Sequence, residues 1–160
     1  MIEQAKARGL FVAVAESLTA GALASTLADT PGASGVLLGS IVSYQDQVKS
    51  ELLGVSRQLI AAQSAVDPEV AIQMAIGVRG KFARAMGHEP AAVIGISTTG
   101  VAGPEPVGEK PVGEVYIGIS SELGDKVIAL ELDGSRDEIR QRTVERALEL
   151  LREEILRFSV

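Results

Sequence analysis

Residues 10–21 read LFVAVAESLTAG, an apolar run that ends abruptly in polar and small residues. A short continuous run of this kind is typical of a strand buried inside a sheet. The segment from Glu16 to Gly21 then leads into a helical pattern that continues to about Ala28, where residues 29–32 (DTPG) stop it. Strand, turn and helix in this order predict the first unit of a layered α/β domain.

The rest of the chain repeats this alternation of short apolar runs and helical patterns. It predicts strands at 35–44, 92–97, 112–121 and 126–132, and helices at 1–8, at 46–53, over roughly 17 residues after Pro68, and from about Arg136 onward. The last two strands form an antiparallel hairpin, and the Gly- and Pro-rich segment 98–111 is a loop. We therefore predict one domain over 1–160, a three-layer α/β/α sandwich with a mixed, mostly parallel sheet and one antiparallel hairpin.

The composition restricts the chemistry open to this chain. It has no cysteine, which excludes a thiol nucleophile. It has one histidine, His88, which argues against a histidine-rich metal centre. The net charge is −6 and no basic cluster appears, so we expect a small ligand and no nucleic acid. No apolar run approaches the ~18 residues of a membrane span and no signal pattern opens the chain, so we expect a cytoplasmic protein without a membrane partner.

A first candidate site follows the strand that ends at Ala15. A hydroxyl at Ser17 or Thr19 would lie at the carboxyl edge of a strand, where α/β proteins usually bind ligands. Backbone N–H groups at the helix start could hold an oxyanion or a phosphate. The alternative is that Ser17 or Thr19 is simply the helix N-cap.

A second candidate pair is Tyr44, at the end of the next predicted strand, and Lys49, about one turn into the following helix. Both side chains could reach the same edge of the sheet. A lysine serves as a base only when desolvation or a neighbouring cation keeps its amine neutral, since a free amine has a pKa of about 10.4. The alternative is an ordinary exposed helical lysine.

A third candidate is residues 98–104 (TTGVAGP), directly after a predicted strand. Gly100 and Gly103 permit positive φ and a close approach of the backbone to a phosphate, although the segment is not a Walker loop. A tight structural turn explains the same glycines.

A fourth candidate is residues 134–137 (GSRD) at the start of the last helix. Arg136 could bind a phosphate or a carboxylate with two hydrogen bonds, and Arg140 lies one turn later. A Ser135 helix cap beside a solvated Arg136 is the alternative.

Taken together, these segments resemble the CinA C-terminal domain family, which includes bacterial nicotinamide mononucleotide deamidases. The resemblance covers essentially the whole chain, and it rests on six blocks in order: 15–21 (AESLTAG), 44–49 with 53–55 (LGV), 74–77 (MAIG), 99–104 (TGVAGP), 110–113 (KPVG) and 134–140.

The resemblance implies hydrolysis of nicotinamide mononucleotide to nicotinate mononucleotide and ammonia, without a metal or a cofactor. It places the nucleophile at Ser17, the base at Lys49 and the motif tyrosine at Tyr44. Substrate contacts are expected from three groups of residues: Glu16, Thr19, Ala20 and Gly21 at the first turn; Thr99, Gly100, Ala102 and Gly103 in the glycine segment; and Arg136 and Arg140 on the last helix. We further expect a homodimer.

Two positions depart from the commoner family pattern. Ala20 stands where many relatives have glycine, and residues 64–67 (SAVD) replace the usual Gly-Ala-Val-Ser. We expect Ala20 to narrow the floor of the pocket and Asp67 to change a contact at its rim. Two other functions stay open at this point: a nucleotide-binding or competence-related interaction module without turnover, and an amidase for another small amide.

Overall fold

The computed structural model describes residues 1–159 and has a mixed five-stranded sheet between two helical layers. The sheet order is β2-β1-β3-β4-β5, in which β1 pairs with β2 and β3 in parallel and the last two pairings are antiparallel. The strands are β1 (Phe11–Glu16), β2 (Leu37–Val42), β3 (Val93–Gly100), β4 (Glu114–Ser121) and β5 (Gly124–Glu131). The helices are α1 (Ile2–Ala7), α2 (Ala22–Ala28), α3 (Asp46–Leu53), α4 (Arg57–Gln63), α5 (Pro68–Met86) and α6 (Arg136–Leu156).

The predicted three-layer α/β/α sandwich is confirmed, because each face of the sheet carries its own apolar core. On one face α1, α2 and α6 cover side chains such as Val14, Ile96 and Ile117. On the other face α3, α4 and α5 cover Ala13, Ala15 and their neighbours. Burial on both faces explains why β1 is almost wholly apolar. Within residues 1–159, no helix is long and apolar enough to cross a membrane.

Three local predictions differ from the structure. Helix α4 was not predicted, because it is short and presents no buried side chain, although Ser56 caps it by accepting from Leu59 N–H. Residues 98–100 were assigned to a loop but continue β3, where they pair with β4. The turn of the hairpin is also tighter than predicted, since Ser121 pairs directly with Gly124.

Close packing of α3 on α5 depends on Gly77. A Cβ atom at this position would collide with the backbone carbonyl of Leu53, the last residue of α3. Gly80, in the same helix, has no atom within 4 Å of the place where its Cβ would lie. Because α3 also carries Lys49, Gly77 fixes the distance of that lysine from the sheet.

We predict that Gly77→Ala destabilises the protein by about 1–3 kcal/mol, because the added methyl group forces α3 away from α5. Gly80→Ala is the matched control and should raise stability by about 0.5–1 kcal/mol, since alanine favours a helix over glycine. Urea unfolding of both variants measures the difference. Equal stability of the two variants would contradict the packing role of Gly77.

Candidate active site

The candidate site is a cavity of about 200 Å³ at the carboxyl ends of β1 and β3. Its wall includes Ser17 from the turn after β1, Lys49 from α3, Thr99 and Gly100 from the end of β3, and Arg136 from the start of α6. The structure thus brings together one residue or more from each of the four candidate segments. Further wall residues that we predicted are Tyr44, Ala102 and Gly103.

Lys49 is buried, which excludes the alternative of an ordinary exposed lysine. Its side chain is 1% exposed, and its Nζ donates to the carbonyl of Tyr44 at 3.3 Å. Burial lowers the pKa of Lys49, and the carboxylate of Asp46, 3.7 Å from Nζ, partly opposes this by raising it. The sequence alone could not establish this burial. It makes Lys49 the strongest candidate for a neutral amine in the cavity.

Ser17 is also largely buried, at 9% exposure, and lies on the wall of the same cavity. Its backbone N–H donates to the carbonyl of Thr98 at 3.0 Å, which ties the turn to the end of β3. Within residues 1–159, no hydrogen bond joins Ser17 Oγ to Lys49 Nζ. The two residues nevertheless line the same cavity.

Glu16 lies behind the turn and not on the cavity wall. Its carboxylate is fully buried and accepts from the N–H groups of Gly21, Leu23 and Ala24 at 2.9–3.0 Å. These N–H groups lie at the start of α2, the region where the sequence suggested an oxyanion site, and Glu16 already occupies them. The N-cap of α2 is Gly21, so neither Ser17 nor Thr19 is the cap.

The remaining residues of the first turn hold its shape. Thr19 is fully buried, and its hydroxyl hydrogen-bonds to that of Thr98 at 2.8 Å. Ala20 is exposed with a positive φ of 51°, a conformation that favours glycine, so its methyl group does not narrow the cavity. Arg140 donates from α6 to the carbonyls of Leu18 and Thr19. Glu16, Thr19, Ala20, Gly21 and Arg140 all lie outside the cavity wall.

Arg136 joins two other parts of the rim. One of its N–H groups donates to the hydroxyl of Tyr44 at 2.7 Å and another to the carbonyl of Gly103 at 2.5 Å. The Tyr44 hydroxyl therefore contacts Arg136, while the backbone carbonyl of the same residue contacts Lys49. Ser135 caps α6 in a capping box with Glu138, so the proposed cap and the rim contact of Arg136 occur together.

Thr99 fixes the segment between α4 and α5. Its hydroxyl donates to the carbonyl of Ala65 at 2.7 Å, which leaves only its acceptor positions for a ligand. Ser64 has a positive φ of 80°, which explains the glycine usual there. Asp67 caps α5 by accepting from Glu69 and Val70, so it replaces the usual serine as a helix cap and makes no rim contact.

Seven wall residues were not among the predicted site residues: Leu18, Asp46, Ala65, Val66, Val101, Glu105 and Val107. Leu18 and Val101 each directly adjoin a predicted site residue. Asp46 was detectable, since it precedes Lys49 by three residues on a predicted helix and side chains at this spacing are neighbours. Ala65 and Val66 follow the helix that the sequence pattern did not predict. Glu105 and Val107 belong to the irregular segment 101–113, whose path the sequence could not specify.

Comparison with known proteins gives a consistent result. The family described as "CinA C-terminal domain" matches residues 1–155. The chain is similar to a CinA-like protein of Frankia casuarinae, with 44% identity over 145 residues that cover 91% of this chain and 32% of the relative. The chain thus spans about a third of the length of the curated relatives it matches.

Two solved structures are similar along nearly their full length. The competence/damage inducible protein CihA from Agrobacterium tumefaciens is 32% identical, with a TM-score of 0.80 over 94% of this chain and 92% of that chain. A competence-damaged protein (CinA) superfamily protein from Klebsiella pneumoniae is 26% identical, with a TM-score of 0.84 over 98% and 94%. These structures share the mixed five-stranded α/β fold.

We predict that Glu16→Gln destabilises the protein by about 1–3 kcal/mol, because the amide group cannot accept all three backbone N–H groups that the carboxylate satisfies. Glu145→Gln is the control, since Glu145 is exposed on α6 and accepts only from Gln141. It should change stability by less than about 0.5 kcal/mol. Thermal unfolding of both variants checks the prediction, and a Glu16→Gln protein as stable as the control would contradict it.

Proposed function

Because the chain belongs to the CinA C-terminal domain family, we propose that it hydrolyses the carboxamide of nicotinamide mononucleotide to nicotinate mononucleotide and ammonia. The observation that carries the proposal is the buried amine of Lys49 on the wall of the cavity to which Ser17 is also exposed. A nucleophile and its base must share one cavity, and this pair meets that requirement.

The first step is attack by Ser17 on the amide carbon. Burial lowers the pKa of Lys49, so the neutral amine is more populated than in an exposed lysine. Lys49 Nζ takes the proton of the Ser17 hydroxyl while Oγ bonds to the carbon and the carbonyl π electrons move to oxygen. The product of this step is a tetrahedral oxyanion beside a Lys49 ammonium.

One backbone N–H group is best suited to the oxyanion. The N–H groups of Gly21, Leu23 and Ala24 already donate to Glu16, and that of Ala20 donates to the carbonyl of Ser17. The N–H group of Leu18, a wall residue next to Ser17, donates to no group of the described chain. We propose it as an oxyanion donor.

The Lys49 ammonium then returns its proton to the amide nitrogen, which leaves as ammonia when the carbon–nitrogen bond breaks. A water molecule attacks the resulting Ser17 ester while Lys49 accepts its proton and passes it back to Ser17 Oγ. The products are the carboxylic acid and the free enzyme.

The cavity and its rim suit the two ends of the substrate. About 200 Å³ is below the roughly 300 Å³ of typical whole-ligand pockets, so it accommodates the ring and its amide but not the whole nucleotide. The ribose phosphate would then extend to the rim, where Arg136 supplies a guanidinium group.

We predict that Ser17→Ala and Lys49→Met abolish ammonia release from nicotinamide mononucleotide, because each removes one partner of the proton transfer. Methionine keeps the apolar stem of the lysine and so limits the loss of packing. Coupled detection of ammonia measures the rate, and in the wild type the rate should rise with pH as Lys49 loses its proton.

The controls are Ser25→Ala on α2 and Lys81→Met on α5, two exposed positions outside the cavity. Both should keep the wild-type rate. Full activity of either site variant would contradict the roles of Ser17 and Lys49. Tight nucleotide binding by the wild type without any ammonia release would instead favour the binding-module function.

Arg136→Ala should raise KM for nicotinamide mononucleotide roughly tenfold or more, because a charged hydrogen bond to the phosphate is lost. The KM for nicotinamide riboside, which has no phosphate, should change little. Tyr44→Phe is the comparison variant, since it removes the hydroxyl that holds Arg136 but keeps the guanidinium group. An unchanged KM for the nucleotide in Arg136→Ala would remove its phosphate role.

A further inference from the structure

Asp46 supplies a carboxyl group to the cavity wall, next to Lys49 and largely exposed to solvent. It is the first residue of α3, and its Oδ1 lies 3.7 Å from Lys49 Nζ. Its side chain is 60% exposed, whereas that of Lys49 is 1% exposed. Asp46 therefore contacts the buried amine from the cavity side and keeps room to accept a second cation.

The contact has a cost for the proposed chemistry. A carboxylate at this distance stabilises the ammonium form of Lys49 and raises its pKa, against the effect of burial. The ammonium form cannot accept the proton of Ser17. Asp46 therefore opposes the proposed reaction unless a group bound in the cavity weakens its interaction with the Lys49 ammonium.

The charges on the cavity wall indicate which kind of group could weaken this interaction. Four charged residues line the cavity wall: Asp46, Lys49, Glu105 from segment 101–113 and Arg136 from α6. Tyr44 is a further wall residue with a titratable side chain. Arg136 already donates to Tyr44 and Gly103. With Lys49 neutral, two carboxylates face one guanidinium group, so the wall has a net negative charge. A positive charge on the ligand is thus favoured when Lys49 is neutral.

We propose that Asp46 is a specificity-determining residue, whose carboxylate contacts a positive charge on the ring of the substrate and thereby releases Lys49 as the neutral base. The inference rests on the function proposed above and defines its substrate class as amides of cationic, N-substituted pyridines. A neutral amide of the same shape leaves Asp46 paired with the Lys49 ammonium. A cationic ring instead expels one proton from Lys49 to the solvent.

The proton released on binding tests this inference without any need for turnover. We would titrate the Ser17→Ala protein with nicotinamide mononucleotide and, separately, with its 1,4-dihydro form, whose ring is neutral and whose phosphate is the same. Calorimetry in buffers of different ionisation enthalpy, between about pH 7 and 10, counts the protons that are released. Because both nucleotides carry the same phosphate, the dihydro form is the control for protons that the phosphate itself takes up or releases.

We expect proton release with the cationic nucleotide, rising toward one per site, and little with the dihydro form. Asp46→Asn should abolish the difference and should weaken binding of the cationic form by about threefold, the size expected for a half-exposed ion pair. Glu51→Gln is the matched control, because it also removes a negative charge from α3. Glu51 pairs with Arg57, and both residues lie outside the cavity wall. It should behave like the parent protein.

Equal proton release with the two nucleotides, or an Asp46→Asn protein that still distinguishes them, would overturn the inference, as would a failure to bind either nucleotide. The ammonia assay tests the proposed hydrolysis independently of this inference. Wild-type protein that releases no ammonia while binding expels a proton in an Asp46-dependent way would contradict the proposed hydrolysis but not the role of Asp46.

Discussion

The amine of Lys49 is removed from solvent by the packing of one short helix. Lys49 and Leu53 lie four residues apart and are both buried, so α3 turns one face inward against α5 and the apolar core that α5 shares with the sheet. Gly77 lets the two helices approach, and the carbonyl of Tyr44 gives Nζ one hydrogen bond. A buried ammonium ion loses its hydrogen bonds to water. The hydrogen bond to Tyr44 and the contact with a half-exposed Asp46 replace them only in part. This desolvation makes a lysine usable as a base, and the proposed chemistry depends on it.

The turn that carries Ser17 is fixed from three directions. Glu16 holds the start of α2 from within β1, Thr98 binds the turn from β3, and Arg140 donates to its carbonyls from α6. Glu16 also occupies the N–H groups that would otherwise attract an anion at the start of α2. An incoming negative charge is thereby left with the N–H group of Leu18, beside Ser17. The sheet, one helical layer and the buried carboxylate together place one hydroxyl at the cavity.

Much of the fold could be predicted from periodicity, because strands buried on two faces and long amphipathic helices leave clear patterns. Helix α4 was not predicted, since it is short and its apolar side chains are only partly buried. The positions of Ser17 and Lys49 on one cavity wall follow from strand ends that share a sheet edge, which the sequence could predict. The burial of Lys49, the rim contacts of Arg136 and the structural role of Glu16 depend on tertiary packing, and no local pattern encodes them. The single domain, the homodimer and the cytoplasmic location stay predictions.

The account can be tested most directly on the amine itself. In protein labelled with ¹³C-lysine, the ε-carbon resonance of Lys49 can be assigned by its loss in Lys49→Met and then followed through a pH titration. We predict a midpoint below the ordinary lysine value of about 10.4, and so below those of the exposed lysines. A midpoint at or above that value would mean that burial does not favour the neutral amine of Lys49, which would contradict its proposed role as the base.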